Sequence, residues 1–250
     1  MKHSPGKKII FWLILIITSF GCYNRTSASE GSGGVLIKTE NAQLTYILPS
    51  PVTEGNVGVE EALANRRSRR RFQNRELSAE QLSQILWAAY GISEPIPGNP
   101  QLRGGLRTSP SAGALYPLEI YAVVGNVAGI EAGVYKYVSE EHKIIRTIDK
   151  DIRGELSEAA LGQAMVRDAS VTVVYSAVFS RITARYGERG RERYVFIELG
   201  HSAQNIYLQA EALGLGTCAI GAFTDGSVSE LLKLPTEEQP LYLMPIGYEG

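Results

Sequence analysis

Six arginines crowd into ten residues, Arg66-Arg67-Ser68-Arg69-Arg70-Arg71-Phe72-Gln73-Asn74-Arg75, in a chain whose formal net charge is only -1. Guanidinium forks and a hydroxyl packed this closely suit one compact anion, a phosphate above all. On the run alone, a solvated basic surface is an equal alternative. Arg66, Arg67, Ser68 and Arg70 are the residues placed to clamp such a group, with Phe72 burying the turn behind them. A second segment, Pro110-Ser111-Ala112-Gly113-Ala114, is built of small residues that let backbone N–H groups approach a flat ligand. Taken singly, it reads as an ordinary Pro/Ser/Gly turn. A third segment runs from Gly214 to Phe223. Its first glycine is a common helix end, but Ile220, Gly221 and Ala222 would offer bare backbone to a ring system.

These segments need elements to hold them. Val59 to Asn65 reads as a helix that delivers the arginines. Ser78-Ala79-Glu80-Gln81 opens another in capping-box fashion, with Leu82, Ile85, Leu86 and Ala89 at helical spacing and Gly91 ending it. Residues 93–107, rich in proline and glycine, read as a loop. Leu118–Val124, Gly133–Val138 and Val171–Val178 are buried-strand runs, and Cys218–Phe223 and Leu241–Tyr248 are expected as the last strands. Ile152–Leu161 is expected to be helical. The longest helix is expected over Arg193–Leu213, with Ile197, His201, Asn205, Leu208 and Ala212 on one side. Strands interleaved with helices imply an α+β or α/β domain with helices covering a sheet.

The first 22 residues differ from the rest. Lys2, Lys7 and Lys8 precede an apolar run from Ile9 to Phe20, shorter than the roughly 20 residues a bilayer span needs. That pattern is an export signal. Ser19-Phe20-Gly21-Cys22 is lipobox-like, which would make the chain a lipoprotein held to the membrane only by a lipid anchor. Cleavage after Ala28 is the competing reading. The expected layout is a signal peptide over 1–22, a tether and N-terminal arm over 23–54, and one domain over 55–250. Without the leader's lysines, 22 basic residues face 26 acidic ones, which argues against nucleic acid as a partner. Cys218 would have no disulfide partner and reads as a small buried residue. The three histidines have no metal spacing.

Read together, the RRSxRxF run at Arg66–Phe72, PSAGALYPLE at Pro110–Glu119, GVYKY at Gly133–Tyr137, the Glu198–Asn205 stretch with LGLGTCAIGAF, and MPIGY at Met244–Tyr248 resemble the nitroreductase family of flavoproteins. The SagB-type branch, which includes dehydrogenases that oxidise azolines to azoles in modified peptides, is the nearest in pattern. The resemblance spans about residues 55–248. It implies a mixed sheet wrapped by helices, FMN at a homodimer interface, and hydride transfer at the flavin N5. It gives Arg66, Arg67, Ser68 and Arg70 the phosphate and ribityl chain. Pro110, Ser111, Ala112 and Gly113 lie by the isoalloxazine, and Ile220, Gly221 and Ala222 pack on the ring from the other chain or the other face. Gln204 and Asn205 either join the site or orient the dimer helix. One departure stands out: no Lys or Arg follows Lys233, so the phosphate rests on the 66–71 cluster, with Arg107 as a possible helper. The proton donor is not identified; Tyr116, Tyr186 and His201 are candidates by residue type. The substrate, a small molecule or a peptide, and the redox partner, NAD(P)H or another, stay open. The alternative from another class is an exported, flavin-free lipoprotein that binds a small ligand on the same fold.

Overall fold

The computed structural model describes residues 29–30, 36–40 and 43–250. The expected leader over 1–22, with Cys22, and part of the expected tether lie outside the described residues. Among the described residues, eleven strands and seven α-helices follow in chain order. The strands are β1 (Ser29–Glu30), β2 (Leu36–Glu40), β3 (Gln43–Ile47), β4 (Ile92–Pro95), β5 (Gly105–Arg107), β6 (Leu118–Val124), β7 (Gly133–Val138), β8 (Lys143–Ile148), β9 (Val171–Val178), β10 (Gly216–Thr217) and β11 (Glu238–Gly247). The helices are α1 (Val59–Asn65), α2 (Ala79–Tyr90), α3 (Arg153–Ala159), α4 (Ala164–Asp168), α5 (Ser180–Arg189), α6 (Val195–Ala212) and α7 (Asp225–Leu232).

Nine strands form one sheet in the order β1-β2-β3-β8-β7-β6-β9-β11-β10. Its ladders are antiparallel, and parallel pairing enters through isolated bridges such as Ser68–Thr217 at the β10 edge. The central strands are buried on both faces, which is why they read as unbroken apolar runs. Leu118, Ile120, Ala122 and Val124 of β6 point into the core beneath α2 and α6. Tyr121 and Val123 pack on the other face with Leu156 of α3, Val166 of α4 and Val228 of α7. Helices therefore cover both sides of the sheet, an α+β domain of three layers. β3 belongs to the arm ahead of residue 55, yet it pairs with β8 and its Tyr46 is 1% exposed.

Local signals explain the elements next to the site. In α2, Ser78 Oγ accepts from Gln81 N–H (3.2 Å) and Gln81 Oε1 accepts from Ser78 N–H (3.0 Å), the reciprocal cap its sequence predicts. Gly91 closes the helix, its N–H donating to Trp87 O, where no other residue fits because a Cβ would stand 2.3 Å from Trp87 Cδ1. Three expectations need correction. Residues 93–107 are more than a loop, since β4 and β5 pair as a small hairpin. Cys218–Phe223 is not a regular strand: past Thr217 only Ile220 bridges β11, at Leu243, before the backbone turns away. Finally, α6 buries Val195, Leu199, Ser202, Ala203, Ile206 and Ala210, while Ile197 and His201, expected near one helical side, face outward.

Candidate active site

The arginine run leaves the end of α1, where Arg66 N–H donates to Ala62 O, and crosses to the β10 edge of the sheet. There Ser68 bridges Thr217 and Arg69 N–H donates to Thr217 O at 2.9 Å. Further on, Gln73 N–H bonds Tyr248 O, and Phe72 wedges against Gly216 and Gly247. This backbone pairing fixes which side chains remain available. Arg69 is engaged by Glu249 at 2.8 Å and more loosely by Glu211. Arg67 turns back to the Ala64 and Arg66 carbonyls and so caps α1. Arg66 lies 5.3 Å over the Tyr207 ring, whose hydroxyl is 3.1 Å from Ser68 Oγ and accepts from Ala219 N–H at 2.8 Å. Arg66 and Arg70 have no acidic partner among the described residues, and Thr217 Oγ1 is buried without a hydrogen bond. Two free guanidiniums, an exposed serine hydroxyl and an orphaned threonine hydroxyl form a donor set that fits a phosphate.

The Pro110–Tyr116 segment forms a second cluster. Gly113 (φ 63°), Ala114 (φ 52°) and Tyr116 (φ 48°) all lie in the left-handed region. Gly113 has no room for a side chain: a Cβ would meet the Tyr186 hydroxyl at 2.7 Å and Arg185 Nη1 at 3.2 Å, both on α5. Pro110 and Gly113 are exposed, and Ser111 Oγ accepts from Tyr116 N–H at 3.0 Å. Backbone this open, bounded by tyrosine, suits the edge and face of a planar ring. Arg107, expected as a helper for the phosphate, is committed elsewhere. Its buried guanidinium lies 4.7 and 4.8 Å from the Tyr90 and Tyr116 ring centres and bonds Tyr90 O, Ser139 and Glu140.

Glu198 sits behind this loop, 1% exposed. Its Oε1 accepts from the Tyr90 hydroxyl at 2.5 Å, and Oε2 has no hydrogen bond of ordinary geometry although the Ser111 hydroxyl is near. Burial pushes its carboxyl up to about 7, against weaker opposing pulls from Ser111, Tyr90 and Arg107. The native state thus holds a proton that the unfolded chain has lost, so stability falls as pH rises from about 4.5 to about 7. That window is worth roughly 3 kcal/mol. Glu198→Gln removes this slope, and urea midpoints of the two proteins from pH 5 to 8 will converge at the acid end. His142, whose pKa burial lowers, acts with the opposite sign in both proteins and cancels in the difference.

Helix α6 serves the two clusters from different faces. Asn205 on α6 donates to Thr108 O, beside the second cluster, and Tyr207 serves the first. Two residues apart on a helix, they point about 200° away from each other. The late segment divides as well. Ile220 packs into the core beneath α7, whereas Gly221 and Ala222 are exposed, and Ala222 O accepts from Gln163. Of the proton-donor candidates, only Tyr186 carries its hydroxyl to the exposed glycine. His201 faces outward from α6, and Tyr116 is buried against Tyr90. Tyr207 and Thr217 have no local marker in the sequence, because their roles come from pairing with Ser68 across more than a hundred residues.

The family profile described as the nitroreductase family matches residues 63–248. A Methanocaldococcus jannaschii protein assigned as a nitroreductase is 46% identical over 191 residues, covering 76% of this chain and 91% of the relative. The trifolitoxin-processing protein TfxB of Rhizobium leguminosarum is 33% identical over 130 residues, 50% of this chain but only 35% of that protein's length. Among solved structures, a Ralstonia eutropha protein assigned as a nitroreductase superposes with a TM-score of 0.69 at 27% identity, covering 82% of this chain and 90% of the other.

Proposed function

We propose that this chain, which belongs to the nitroreductase family, is an FMN-dependent oxidoreductase whose complete site forms between two copies. The observation that carries the reading is the unpaired donor set at the β10 edge. Arg66, Ser68, Arg70 and Thr217 would hold the phosphate: the two guanidiniums have no acidic partner among the described residues, and the buried Thr217 hydroxyl has no hydrogen bond. That arrangement also weighs against a flavin-free binding protein. Bound there, FMN supplies hydride chemistry at its N5. The chain's own part is to place, orient and move a proton.

In this reading the exposed Pro110–Gly113 backbone of one copy and the Gly221–Ala222 backbone of the other bracket the ring. Separation of the two clusters by α6 supports a homodimer. So does the outward α6 face, where Phe196 and Ile197 are 48% and 53% exposed beside Gly200. Two exposed apolar side chains about one turn ahead of a glycine suit close approach of a second helix.

Tyr186 is the proton-transfer residue of this proposal. Its hydroxyl stands at the ring loop with Arg185 beside it, where it would accept the proton that a substrate sheds along with its hydride while passing its own proton on to solvent. The substrate reading is that of a SagB-type dehydrogenase, which takes hydride from a small molecule or a modified peptide. Similarity to a toxin-processing protein supports it. NAD(P)H, or another redox partner, would serve the opposite half-reaction. The basic and apolar leader supports export, with a lipid anchor at Cys22 and FMN acquired after crossing. The test is to add FMN to purified protein, desalt, and record the oxidised-flavin band near ~450 nm. A colourless, folded protein rejects the reading. Given a yellow protein, Tyr186→Phe should bind FMN as the parent does and lose about 10²-fold in turnover.

A further inference from the structure

The left-handed run at Gly113, Ala114 and Tyr116 includes two residues with side chains, and such backbone persists only where its surroundings over-determine it. What fixes it gathers at the carbonyl of its last residue. The Tyr116 carbonyl accepts from Arg103 Nη1 and from Arg181 Nη1, each at 3.2 Å. Those guanidiniums come from separate elements, one from the turn before β5 and one from α5. Both converge on a single atom, Glu119 Oε1, at 3.1 Å from Arg103 and 2.5 Å from Arg181. Glu119 is 5% exposed on β6, and its second oxygen meets Lys136 Nζ at 3.2 Å. Lys136 also pairs with Glu238, and Arg103 with Glu140, so each cation at the carboxylate has a fixed place.

We infer that Glu119 is a positioning residue for the ring loop: it gathers Arg103 and Arg181 onto the Tyr116 carbonyl and so holds the Gly113–Tyr116 backbone in the form presented to the ring. Without its charge, the two guanidiniums repel each other at one carbonyl, and the left-handed residues have a more relaxed alternative. The inference rests on the proposed flavin site only for the identity of the ligand. The clamp itself is a property of the chain without FMN.

The test is Glu119→Gln, which keeps size and shape and removes the charge. Without FMN, trypsin cleavage after Arg103 should accelerate about tenfold, because the turn opens locally. With FMN, affinity should drop about tenfold and the visible band should change shape as the ring environment changes. Inorganic phosphate should still compete at the parent's concentration, since the Arg66–Arg70 cluster is untouched. If the variant does not fold, Arg181→Gln removes one strut from a half-exposed position and should move the same readouts in the same direction. A folded variant with the parent's cleavage rate, FMN affinity and band shape overturns the inference. If the parent binds no FMN while cleavage after Arg103 still accelerates, the clamp stands and the flavin reading falls.

Discussion

Replacing Arg66 and Arg70 together by alanine should strip the protein of FMN, with affinity lower by 10² to 10⁴-fold and a colourless protein after desalting. The magnitude follows from two charge-assisted contacts at about 1.5–3 kcal/mol each, at tenfold per 1.4 kcal/mol. Neither arginine has an acidic partner among the described residues, so their removal should leave no carboxylate stranded and should not lower the melting temperature. Relief of mutual repulsion could raise it slightly. Arg69→Ala is the contrasting control. It breaks the pair with Glu249 at 2.8 Å, so it should cost some stability while sparing most of the affinity. Equal FMN binding in the double variant and the parent, by fluorescence titration, would place the phosphate elsewhere.

On the proposed homodimer reading, Ile197→Glu should yield a monomer and remove flavin with it. Twofold symmetry places the new charge in the interface twice. Truncating an interface anchor costs on the order of 2 kcal/mol or more, and burying an unpaired carboxylate adds to that. A loss of 10³-fold or more in self-association is therefore expected. Because Ile197 is 53% exposed on the single chain, the variant should keep its far-UV circular dichroism and melt as a folded monomer. Light scattering gives the mass, and absorbance of the desalted fraction gives the flavin. A variant that keeps both the parent's mass and its colour would show that this α6 face is not the contact.

Much of the scaffold is legible in the sequence because its signals are local. The Ser78 cap and the β-branched run Val171–Val178 specify themselves within a few residues. Elements without such signals are less legible. Helix α5 buries only Ile182 and is otherwise arginine-rich, with Gly187 breaking its backbone, so no apolar stripe announces it. The outward turn of Ile197 is hidden for a related reason: helical periodicity marks an apolar side but not whether this chain or another covers it. Arg66, Ser68 and Arg70 are recognisable by type and crowding. That Arg67 caps α1 and Arg69 is held by Glu249 depends on β10 and the C-terminal residues lying alongside, and no short spacing encodes that. Arg107 shows the limit most clearly, since its place between two tyrosines is set by contacts with Ser139 and Glu140 on a distant hairpin.

The strand order has a further consequence. β3, the inner strand of the N-terminal arm, lies at one side of the sheet, and β10, which the arginine run bridges at Thr217, is the opposite edge. At about 4.8 Å per strand, the six steps between them span roughly 29 Å. If the leading segment is a leash, it pulls on the flank farthest from the phosphate donors. Held by its front end, the protein would turn that donor edge away from the point of attachment, where a second copy has room to close the site.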